Sequence, residues 1–362
     1  MLLSKISKIS KILVINPYGI GDVLFTTPLI RTLKKAYPQA EISALLGSRT
    51  KEVLVSDPDI KKIYVFDKGR FNSGSKFREI PRLIKLIMTL KKIKFDLVLD
   101  LSNASEYSLI CKLILKIPHR IGFNYKNRGR FLTQSINLEG FNDKHIIEYY
   151  LDLARMIGLE PQKEKTKFYI NDNDQDWVKD FLLEHHIKDR SRPVIAVIPG
   201  GGGSWGPDAG YKHWSVESYA RLSDMLMDKF KAHVILCGDK TESSICRMIL
   251  TLMAKKPIVA SGRTSLGQLA ALLAECDLVI CNDGGPLHIA VAVGAKTLSI
   301  FGPVDEKIYG PYPLDENHQV ITSDVDCRPC YRNFKYQNCN DRKCLINIRI
   351  KAVLEKVSEV LK

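Results

Sequence analysis

One acidic side chain near the start of the chain is placed where it could do chemistry. Asp22 follows Gly19-Ile20-Gly21, directly after a short apolar run, and opens a stretch with helical spacing. The loop differs from the dinucleotide fingerprint GxGxxG, because Leu24 stands where the third glycine belongs. Two interpretations of Asp22 remain open: a cap that accepts N–H groups of its helix, or a general base that takes a proton from an attacking hydroxyl.

A run of glycines in the second half of the chain suits a phosphate group. The run consists of Gly200, Gly201, Gly202 and Gly203. Glycines expose main-chain N–H groups and let a ligand come close. The run lacks the GK[ST] ending of a P-loop, but Lys212 supplies a positive charge shortly afterwards. The alternative is a flexible loop followed by a solvated lysine.

The segment after the apolar run LVI combines an acid, glycines and a histidine. Its members are Asp283, Gly284, Gly285 and His288. The glycines allow a tight turn at the end of a strand, and the helix that follows would present unpaired N–H groups to an anion. We expect a phosphate or a ribose here, contacted by Asp283 and His288. The alternative is that His288 is a buried structural histidine.

Four of the nine cysteines lie in one short segment near the C-terminus. They are Cys327, Cys330, Cys339 and Cys344, with the spacing C-x2-C-x8-C-x4-C. Four thiolates are the ligands of a structural zinc site, and they can also hold an iron–sulfur cluster. The alternative is a set of free or disulfide-paired structural cysteines. Their position beyond the nucleotide segment favours a loop clamp over catalysis.

Basic side chains cluster in the first half of the chain. They include Lys68, Arg70, Lys76, Arg78, His119, Arg120, Lys126, Arg128 and Arg130. Such clusters either form solvated faces or line the site of an anionic partner, whose phosphates guanidinium groups would pair with bidentately.

One acidic pair has the spacing of a DxD metal motif. Asp57 and Asp59 flank Pro58. The proline and the position after a helical stretch favour a surface turn instead.

The composition is that of a globular protein with a large positive charge. The 362 residues are 45% hydrophobic and 26% charged, and 54 Lys and Arg against 40 Asp and Glu give a net charge of +14. This excludes disordered and collagen-like classes and favours an anionic partner: nucleic acid, an acidic membrane surface or a phosphorylated substrate. No apolar run is long enough for a membrane span, and MLLSKISKISK lacks the apolar region of a secretory signal. We therefore expect a cytoplasmic protein.

Alternating strands and helices must position these residues. The runs that predict strands are KILVIN, EISALLG, KKIYVFD, DLVLDLS, PVIAVIPG, HVILCG, PIVAS, LVICND and TLSIFG. Helical spacing separates them, which predicts an α/β fold with two parallel sheets covered by helices. We expect Rossmann-like domains over residues 1–172 and 173–344 that face each other across a cleft. A final helix over residues 345–362 is expected to pack back on the first domain.

Three segments together resemble glycosyltransferase family 9, the heptosyltransferases of the lipopolysaccharide inner core. They are GIGDVLFTTPLIRTLKKAYP, PGGGGSWGPDAGYKHWSVESYARL and DLVICNDGGPLHIAVAVGAKTLSIFGP. The resemblance implies a GT-B fold. It also implies an inverting, metal-independent transfer of a heptose from an ADP-sugar to a hydroxyl of a growing oligosaccharide.

The resemblance assigns roles to individual residues. Asp22 matches the catalytic base, and Lys212 matches the lysine that holds the donor phosphates. Glu242 resembles the acid that binds the donor ribose. The segment that grips the nucleotide and the sugar is matched by Asp283, Gly284, Gly285 and His288. The family usually has Ser or Thr at position 284, and its stretch between Gly203 and Lys212 is shorter.

The acceptor of this family carries phosphates and acidic sugars, which the basic residues of the first half would bind. The expected acceptor set is Lys68, Arg70, Arg120, Arg128 and Arg130. Arg70 and Arg128 lie nearest the family's acceptor-binding arginines. The expected partners are thus an ADP-sugar and an anionic glycolipid at the inner membrane face, with no nucleic acid. No cofactor is expected for catalysis, and a structural zinc at the four cysteines stays one of the two alternatives given above.

Three alternatives remain on sequence grounds. A nucleotide-sugar epimerase would use the same fold without an acceptor, and another GT-B transferase would use a different donor. The positive charge also permits a nucleic-acid-binding protein, although the basic residues are not interleaved with stacking aromatics.

Overall fold

A computed structural model describes residues 8–67, 69, 71, 76–187, 191–337 and 339–361. The chain divides into two compact units, Met1–Thr166 and Lys167–Lys362. Each unit has a parallel sheet of its own. The division falls close to residue 172, where the sequence places a boundary.

Apolar runs form the sheet of the first unit, in the spatial order β3-β2-β1-β4-β5-β6. The strands are β1 (Lys11–Asn16), β2 (Glu41–Leu46), β3 (Ile60–Val65), β4 (Leu97–Asp100), β5 (His119–Tyr125) and β6 (Gln134–Leu138). Strands β1 and β4 are buried along nearly their whole length, because helices cover both faces of a parallel sheet.

Amphipathic helices cover this sheet. They are α1 (Ile20–Leu24), α2 (Thr27–Ala36), α3 (Lys76–Ile93), α4 (Ser105–Leu113) and α5 (Ile146–Met156), with a 3-10 helix at Ser48–Val53. Helix α2 shows why they form: Pro28 occupies its first turn, and Leu29, Ile30 and Leu33 are buried on one face. Lysines in its last turn meet the negative end of the helix dipole.

The second unit repeats the architecture, with the strand order β12-β11-β10-β7-β8-β9. The strands are β7 (Val194–Ile198), β8 (His233–Leu236), β9 (Ile258–Val259), β10 (Leu278–Asn282), β11 (Thr297–Ile300) and β12 (His318–Ile321), and the pair β13 (Tyr331–Arg332) and β14 (Lys335–Tyr336) forms a separate antiparallel hairpin. The helices are α6 (Asp172–Glu184), α7 (Val216–Lys229), α8 (Ser243–Leu252), α9 (Leu266–Ala274), α10 (Gly285–Ala292), α11 (Glu306–Tyr309), α12 (Lys343–Ile346) and α13 (Ile350–Val360). A 3-10 helix spans Gly203–Lys212.

The C-terminal helix α13 packs into the second unit. Val353 and Val357 are fully buried in the same apolar cluster as Val197 of β7 and Ile280 of β10. Helix α13 also contacts α7. This differs from the expectation that the helix packs on the first domain. The spacing of apolar residues in the sequence predicts that the helix has an apolar face, but it does not show which of the two cores that face packs on.

Strands β5, β6 and β12 have no counterpart among the predicted strands. The β5 sequence HRIGFNY carries polar residues at both ends, and only its centre, Ile121 to Phe123, is buried. A run with so few apolar positions gives a weak strand pattern.

In the described part of the chain, no helix is both long and apolar enough to span a membrane.

Both sheets have a point at which the strand order reverses. In the first unit the chain builds outward from β1 through β2 and β3, then returns to place β4 on the other side of β1. In the second unit the same reversal lies between β7 and β10. Loops leave such neighbouring strands in opposite directions and open a crevice at their carboxyl ends. Asp22 follows β1, the glycine run from Gly200 follows β7, and Asp283 follows β10, so these residues lie at the two edges.

Candidate active site

Asp22 lies just beyond β1, on the first turn of α1. Its carboxylate accepts a hydrogen bond from the main-chain N–H of Gly19 at 2.9 Å, so the helix-cap interpretation is confirmed as one of its roles. The Asp22 carbonyl accepts hydrogen bonds from the Asn16 amide at 2.9 Å and from the Thr26 hydroxyl at 3.0 Å. Asp22 is half-buried. These bonds fix the backbone that carries the carboxylate.

Asp100 and Tyr18 join Asp22 at this edge. Asp100 ends β4 and pairs in register with Ile15 of β1. Burial raises the pKa of Asp100 from 3.8 to about 6, although two hydrogen bonds from Ser102 act in the opposite direction. The Tyr18 hydroxyl donates a hydrogen bond to the Ser102 carbonyl.

The pKa of Tyr18 reports which charges surround this hydroxyl. Burial raises the pKa most, and the nearby carboxylates of Asp22 and Asp100 raise it further, whereas Arg128 lowers it. A tyrosine, two carboxylates and an arginine therefore share one edge of the first sheet.

Glu242 holds the glycine loop of the second unit. One of its carboxylate oxygens accepts the N–H of Gly201 at 2.5 Å, and the other accepts the N–H of Asp239 at 3.0 Å. A Cβ atom at position 200 would lie 2.4 Å from the Glu242 carboxylate carbon. A side chain at position 200 would therefore displace the Glu242 carboxylate, which joins the loops that follow β7 and β8.

Lys212 and Asp283 form a buried ion pair beside this loop. The Lys212 Nζ atom lies 2.7 Å from an Asp283 carboxylate oxygen, and the side chains are 9% and 5% exposed. The same ammonium lies 4.3 Å from the centre of the Trp205 ring, within the range of a cation–π contact. A positive charge is thus fixed at the carboxyl end of β10.

Asn282 and His213 complete the framework. The buried Asn282 side chain donates to the carbonyls of Pro199 and Gly200 at 2.7 and 3.1 Å. Its oxygen accepts hydrogen bonds from the Trp214 N–H and the Tyr219 hydroxyl. His213 Nε2 lies 2.8 Å from the Gly201 carbonyl oxygen. The side chains of Asn282 and His213 therefore hold the start of the glycine run in place through hydrogen bonds to its main-chain carbonyls.

A family model described as glycosyltransferase family 9 (heptosyltransferase) matches residues 83–341. The chain belongs to glycosyltransferase family 9. It is 28% identical over 308 residues to lipopolysaccharide heptosyltransferase 3 of Escherichia coli K12, a match that covers 81% of this chain and 82% of the relative.

Two solved structures are similar to this family 9 glycosyltransferase along nearly its whole length. The family 9 glycosyl transferase of Veillonella parvula has a TM-score of 0.80 at 25% identity, covering 100% of this chain and 98% of that one. The ADP-heptose lipopolysaccharide heptosyltransferase II of E. coli has a TM-score of 0.76 at 24% identity, with coverages of 97% and 98%. The predicted family and the GT-B, α/β fold class are confirmed.

Gly284 marks a departure of this family 9 glycosyltransferase from the Ser or Thr that the family usually has there. A Cβ atom at position 284 would lie 2.9 Å from the Gly202 nitrogen and 3.3 Å from the Gly201 Cα. The glycine loop occupies the space that a side chain would need. The hydroxyl expected to be missing is therefore replaced by main chain in close contact.

Gly285 and His288 lie where helix α10 begins. Gly284 precedes the helix in an extended conformation, and Gly285 is its first residue. His288 is buried in the helix. The structure thus places His288 inside the unit, as the alternative interpretation expected, close in sequence to the N–H groups that begin the helix.

The basic residues expected at the acceptor site are placed differently from one another. Arg128 and Arg130 are exposed and lie over the rings of Tyr125 and Phe131. The Arg120 guanidinium instead donates to the carbonyls of Phe131, Ile117 and Pro118. Arg120 therefore ties β5 to its neighbouring loops. Lys68 and Arg70 lie outside the described residues.

The Asp57-Pro58-Asp59 segment is a turn held by an arginine. Asp57 and Asp59 lie 2.7 and 2.5 Å from the Arg31 guanidinium. The turn was predicted, but Asp57 is buried instead of exposed. Both carboxylates are engaged in the packing of α2 against the β3 entry loop.

Four residues at these sites were not predicted from the sequence: Tyr18, Asp100, Asn282 and His213. Asp100 and Asn282 are the last residues of buried strands beside a strand-order reversal. A polar residue at the carboxyl end of an apolar run was the available signal. Tyr18 and His213 gave no such signal, because neither ends an apolar run; the Tyr18 hydroxyl bonds to Ser102, 84 positions away, and His213 bonds to the main chain of Gly201.

Proposed function

We propose that this protein transfers a heptose from an ADP-heptose donor to a hydroxyl of the lipopolysaccharide inner core. The observation that carries the proposal is the buried Lys212 ammonium beside the glycine loop, at the strand-order reversal of the second sheet. The two E. coli relatives named above are lipopolysaccharide heptosyltransferases, one of them an ADP-heptose enzyme, and this supports the choice of donor and acceptor.

In the proposed reaction Asp22 is the base of a single displacement. Its carboxylate takes the proton of the acceptor hydroxyl while the hydroxyl oxygen forms a bond to the anomeric carbon of the donor. The bond from that carbon to the phosphate oxygen breaks, and ADP leaves with the electron pair. One displacement from the opposite face inverts the configuration of the anomeric carbon.

Lys212 and main-chain N–H groups would meet the charge that develops on ADP. Fixed positive charge and preorganised N–H donors lower the energy of a departing diphosphate, so the mechanism needs no metal ion. The donor set is Gly200, Gly201, Gly202, Gly203, Lys212, Glu242, Asp283, Gly284, Gly285 and His288. We assign the binding of the ribose hydroxyls to Glu242. Its carboxylate would then accept hydrogen bonds from these hydroxyls in place of those from the Gly201 and Asp239 N–H groups.

We assign the anionic acceptor to the first unit. Arg128 and Arg130 are exposed and free of carboxylate partners among the ion pairs of the described residues, so they can pair with phosphate. Arg128 also influences Tyr18, near Asp22. Lys68 and Arg70 remain predicted acceptor residues, and the hydrogen bonds of Arg120 assign it to the support of this surface.

Helix α3 gives the proposed enzyme a surface for an anionic membrane. Phe77, Ile80, Ile84 and Met88 are 94%, 43%, 55% and 48% exposed, and their spacing places them on one helical stripe. Exposed basic residues border the stripe, namely Arg78, Lys85, Lys91 and Lys92. An apolar stripe edged by positive charge matches an anionic bilayer surface, so we propose peripheral association on the cytoplasmic side.

The transfer is tested by incubating the purified protein with ADP-heptose and heptose-deficient lipopolysaccharide. We expect ADP release that depends on the acceptor, and little release with GDP-, UDP- or CDP-sugars. Asp22→Asn should lower kcat by roughly a hundredfold or more. The asparagine oxygen can still accept the Gly19 N–H, so folding and ADP affinity should remain as in the wild type.

Other outcomes would favour the alternatives. Conversion of the donor sugar without acceptor would indicate an epimerase, and preferred use of another nucleotide would indicate a different GT-B transferase. Full turnover by Asp22→Asn would remove Asp22 from the role of base. Tight binding of single-stranded DNA or RNA with a steep salt dependence would support a nucleic-acid partner instead.

A further inference from the structure

Four cysteines stand apart from the rest by their position. Cys327, Cys330, Cys339 and Cys344 lie in residues 327–344, here named the cysteine segment, and none is disulfide-bonded. The remaining cysteines are all buried in the two units: Cys111, Cys237, Cys246, Cys276 and Cys281. Within the cysteine segment only Cys344 is buried, whereas Cys327 is exposed. Burial in a core therefore explains the other thiols and Cys344, but not Cys327, Cys330 and Cys339.

The β13–β14 hairpin brings the two halves of the cysteine segment together. Tyr331 pairs with Tyr336, so Cys330 and Gln337, which flank this pair, lie at the same open end of the hairpin. The Cys330 thiol lies 3.0 Å from the Cys327 carbonyl oxygen. The Arg342 main-chain N–H lies 3.3 Å from the Cys339 sulfur, the kind of contact that stabilises a thiolate.

Electrostatics agree that the four thiols share one neighbourhood. The pKa of Cys330 is raised to about 11, first by burial and then by the nearby thiols of Cys327, Cys344 and Cys339. Thiolates that repel one another are stabilised together by a cation. The cysteine segment also contains Arg328, Arg332, Lys335, Arg342 and Lys343 against a single acid, Asp341. This positive charge would offset the excess negative charge of four thiolates around a divalent ion.

The cysteine segment touches the loop that carries Lys212. Trp205 packs against the rings of Tyr331 and Tyr336 at centroid distances of 5.0 and 5.3 Å. Tyr211 lies 4.8 Å from Tyr336. The Arg342 guanidinium donates to the Gly210 carbonyl at 3.2 Å. Because Trp205 also lies against the Lys212 ammonium, the hairpin supports the surroundings of that charge.

We propose that Cys327, Cys330, Cys339 and Cys344 together bind one thiophilic divalent cation, zinc or iron, which fixes the hairpin against the Lys212 loop. Among the described residues, no three His, Cys, Asp or Glu side chains already stand in metal-binding geometry. Binding therefore includes rotation of the thiol side chains toward the ion and release of their protons. The metal is structural: it positions the donor loop and takes no part in the transfer.

Metal content is the first test, and it is independent of any activity. The protein is purified anaerobically without a metal-chelating tag, and its metals are measured by mass spectrometry. We expect about one zinc or iron per chain. Cys327→Ser combined with Cys330→Ser should lose the metal. The matched control is Cys111→Ala, which removes a thiol outside the cysteine segment and should retain the metal.

The oxidation state of the four thiols distinguishes a metal site from free cysteines and from disulfide bonds. Four titratable thiols and no bound metal under reducing conditions would overturn it, as would two disulfides within the segment, detected as a lower intact mass before reduction. The proposal would be supported if these thiols resist alkylation in the purified protein and become reactive after a chelator is added.

The positioning effect rests on the proposed function and is measured separately. Loss of the metal should raise the KM for the nucleotide-sugar roughly tenfold, with little change in the KM for the acceptor. An unchanged donor KM in the metal-free variant would overturn the positioning role. A stoichiometric metal in a protein without transferase activity would refute the proposed function and leave the metal site standing.

Discussion

The ammonium of Lys212 and the carboxylate of Asp283 lie 2.7 Å apart, with both side chains more than nine-tenths buried. Each charge is the other's partner, because an isolated charge at this depth is costly. A nucleotide diphosphate would bring a second anion to Lys212. The pair therefore holds the lysine side chain in place before a donor arrives, so stability and donor binding both depend on Lys212.

This double dependence predicts different outcomes for single and double variants. Lys212→Met leaves Asp283 without its partner and should cost roughly 3 kcal/mol of unfolding free energy. Adding Asp283→Asn should recover much of that stability, because the buried negative charge is gone. ADP affinity should be weak in both variants. Urea unfolding and calorimetric titration with ADP measure the two effects, and wild-type ADP affinity in Lys212→Met would contradict the donor role.

Asp100 predicts a dependence of stability on pH. Its pKa is raised from 3.8 to about 6, so the folded state favours the protonated form. The stabilising contribution is complete below about pH 4 and is lost as the pH rises through 6, a change of about 3 kcal/mol. Asp100→Asn retains the acceptor for Ser102 and should be more stable than the wild type at pH 7.5, but not at pH 4.

Urea unfolding of the wild type and of Asp100→Asn across this pH range measures the difference. The matched control is Asp176→Asn, which removes a carboxylate that is 70% exposed and shows whether the trend depends on burial. A constant difference between Asp100→Asn and the wild type at all pH values would show that burial does not shift this carboxyl group.

Position 284 predicts that the residue usual in the family is harmful here. Gly284→Ser would place a Cβ 2.9 Å from the Gly202 nitrogen and push the glycine loop away, at a cost of about 1–3 kcal/mol. ADP affinity should fall with it. Gly210→Ala is the control, because no atom lies within 4 Å of its added Cβ. Equal ADP affinity in the two variants would refute the steric explanation.

The apolar stripe on α3 predicts that the protein binds anionic membranes and that one negative charge introduced into the stripe weakens this binding. Ile84→Asp should weaken sedimentation with vesicles of phosphatidylglycerol and phosphatidylethanolamine, because a carboxylate would enter the apolar contact. Leu314→Asp is the control: Leu314 is 63% exposed and belongs to the second unit, so it is not part of the α3 stripe. Vesicles of phosphatidylcholine alone should bind little of either protein. Equal loss in both variants would refute a role for the stripe.

Short-range patterns predicted much of the fold and the donor loops. Apolar runs such as KILVIN and LVICND became buried strands, and the glycines after them became the loops at the carboxyl edges. These features depend on neighbours in the sequence. Asp22 was recognisable for the same reason, since its helix cap spans only three residues.

Features that depend on distant partners were not predictable. The contact between Glu242 and Gly201 joins residues 41 positions apart, and the Asn282–Gly200 contact joins residues 82 positions apart. Asp100 could be placed near Asp22 only from the pairing of β4 with β1 in the structure. The docking of α13 likewise depended on which of two apolar cores offered a complementary surface.

The repeated strand order has a consequence for how such enzymes diversify. Each unit closes its own core, and its reactive side chains sit on loops at one rim of its sheet. Substitutions on the rim of the first unit therefore leave the packing of the second undisturbed. On the proposed assignment, a lineage can acquire a new acceptor while its nucleotide preference is inherited intact.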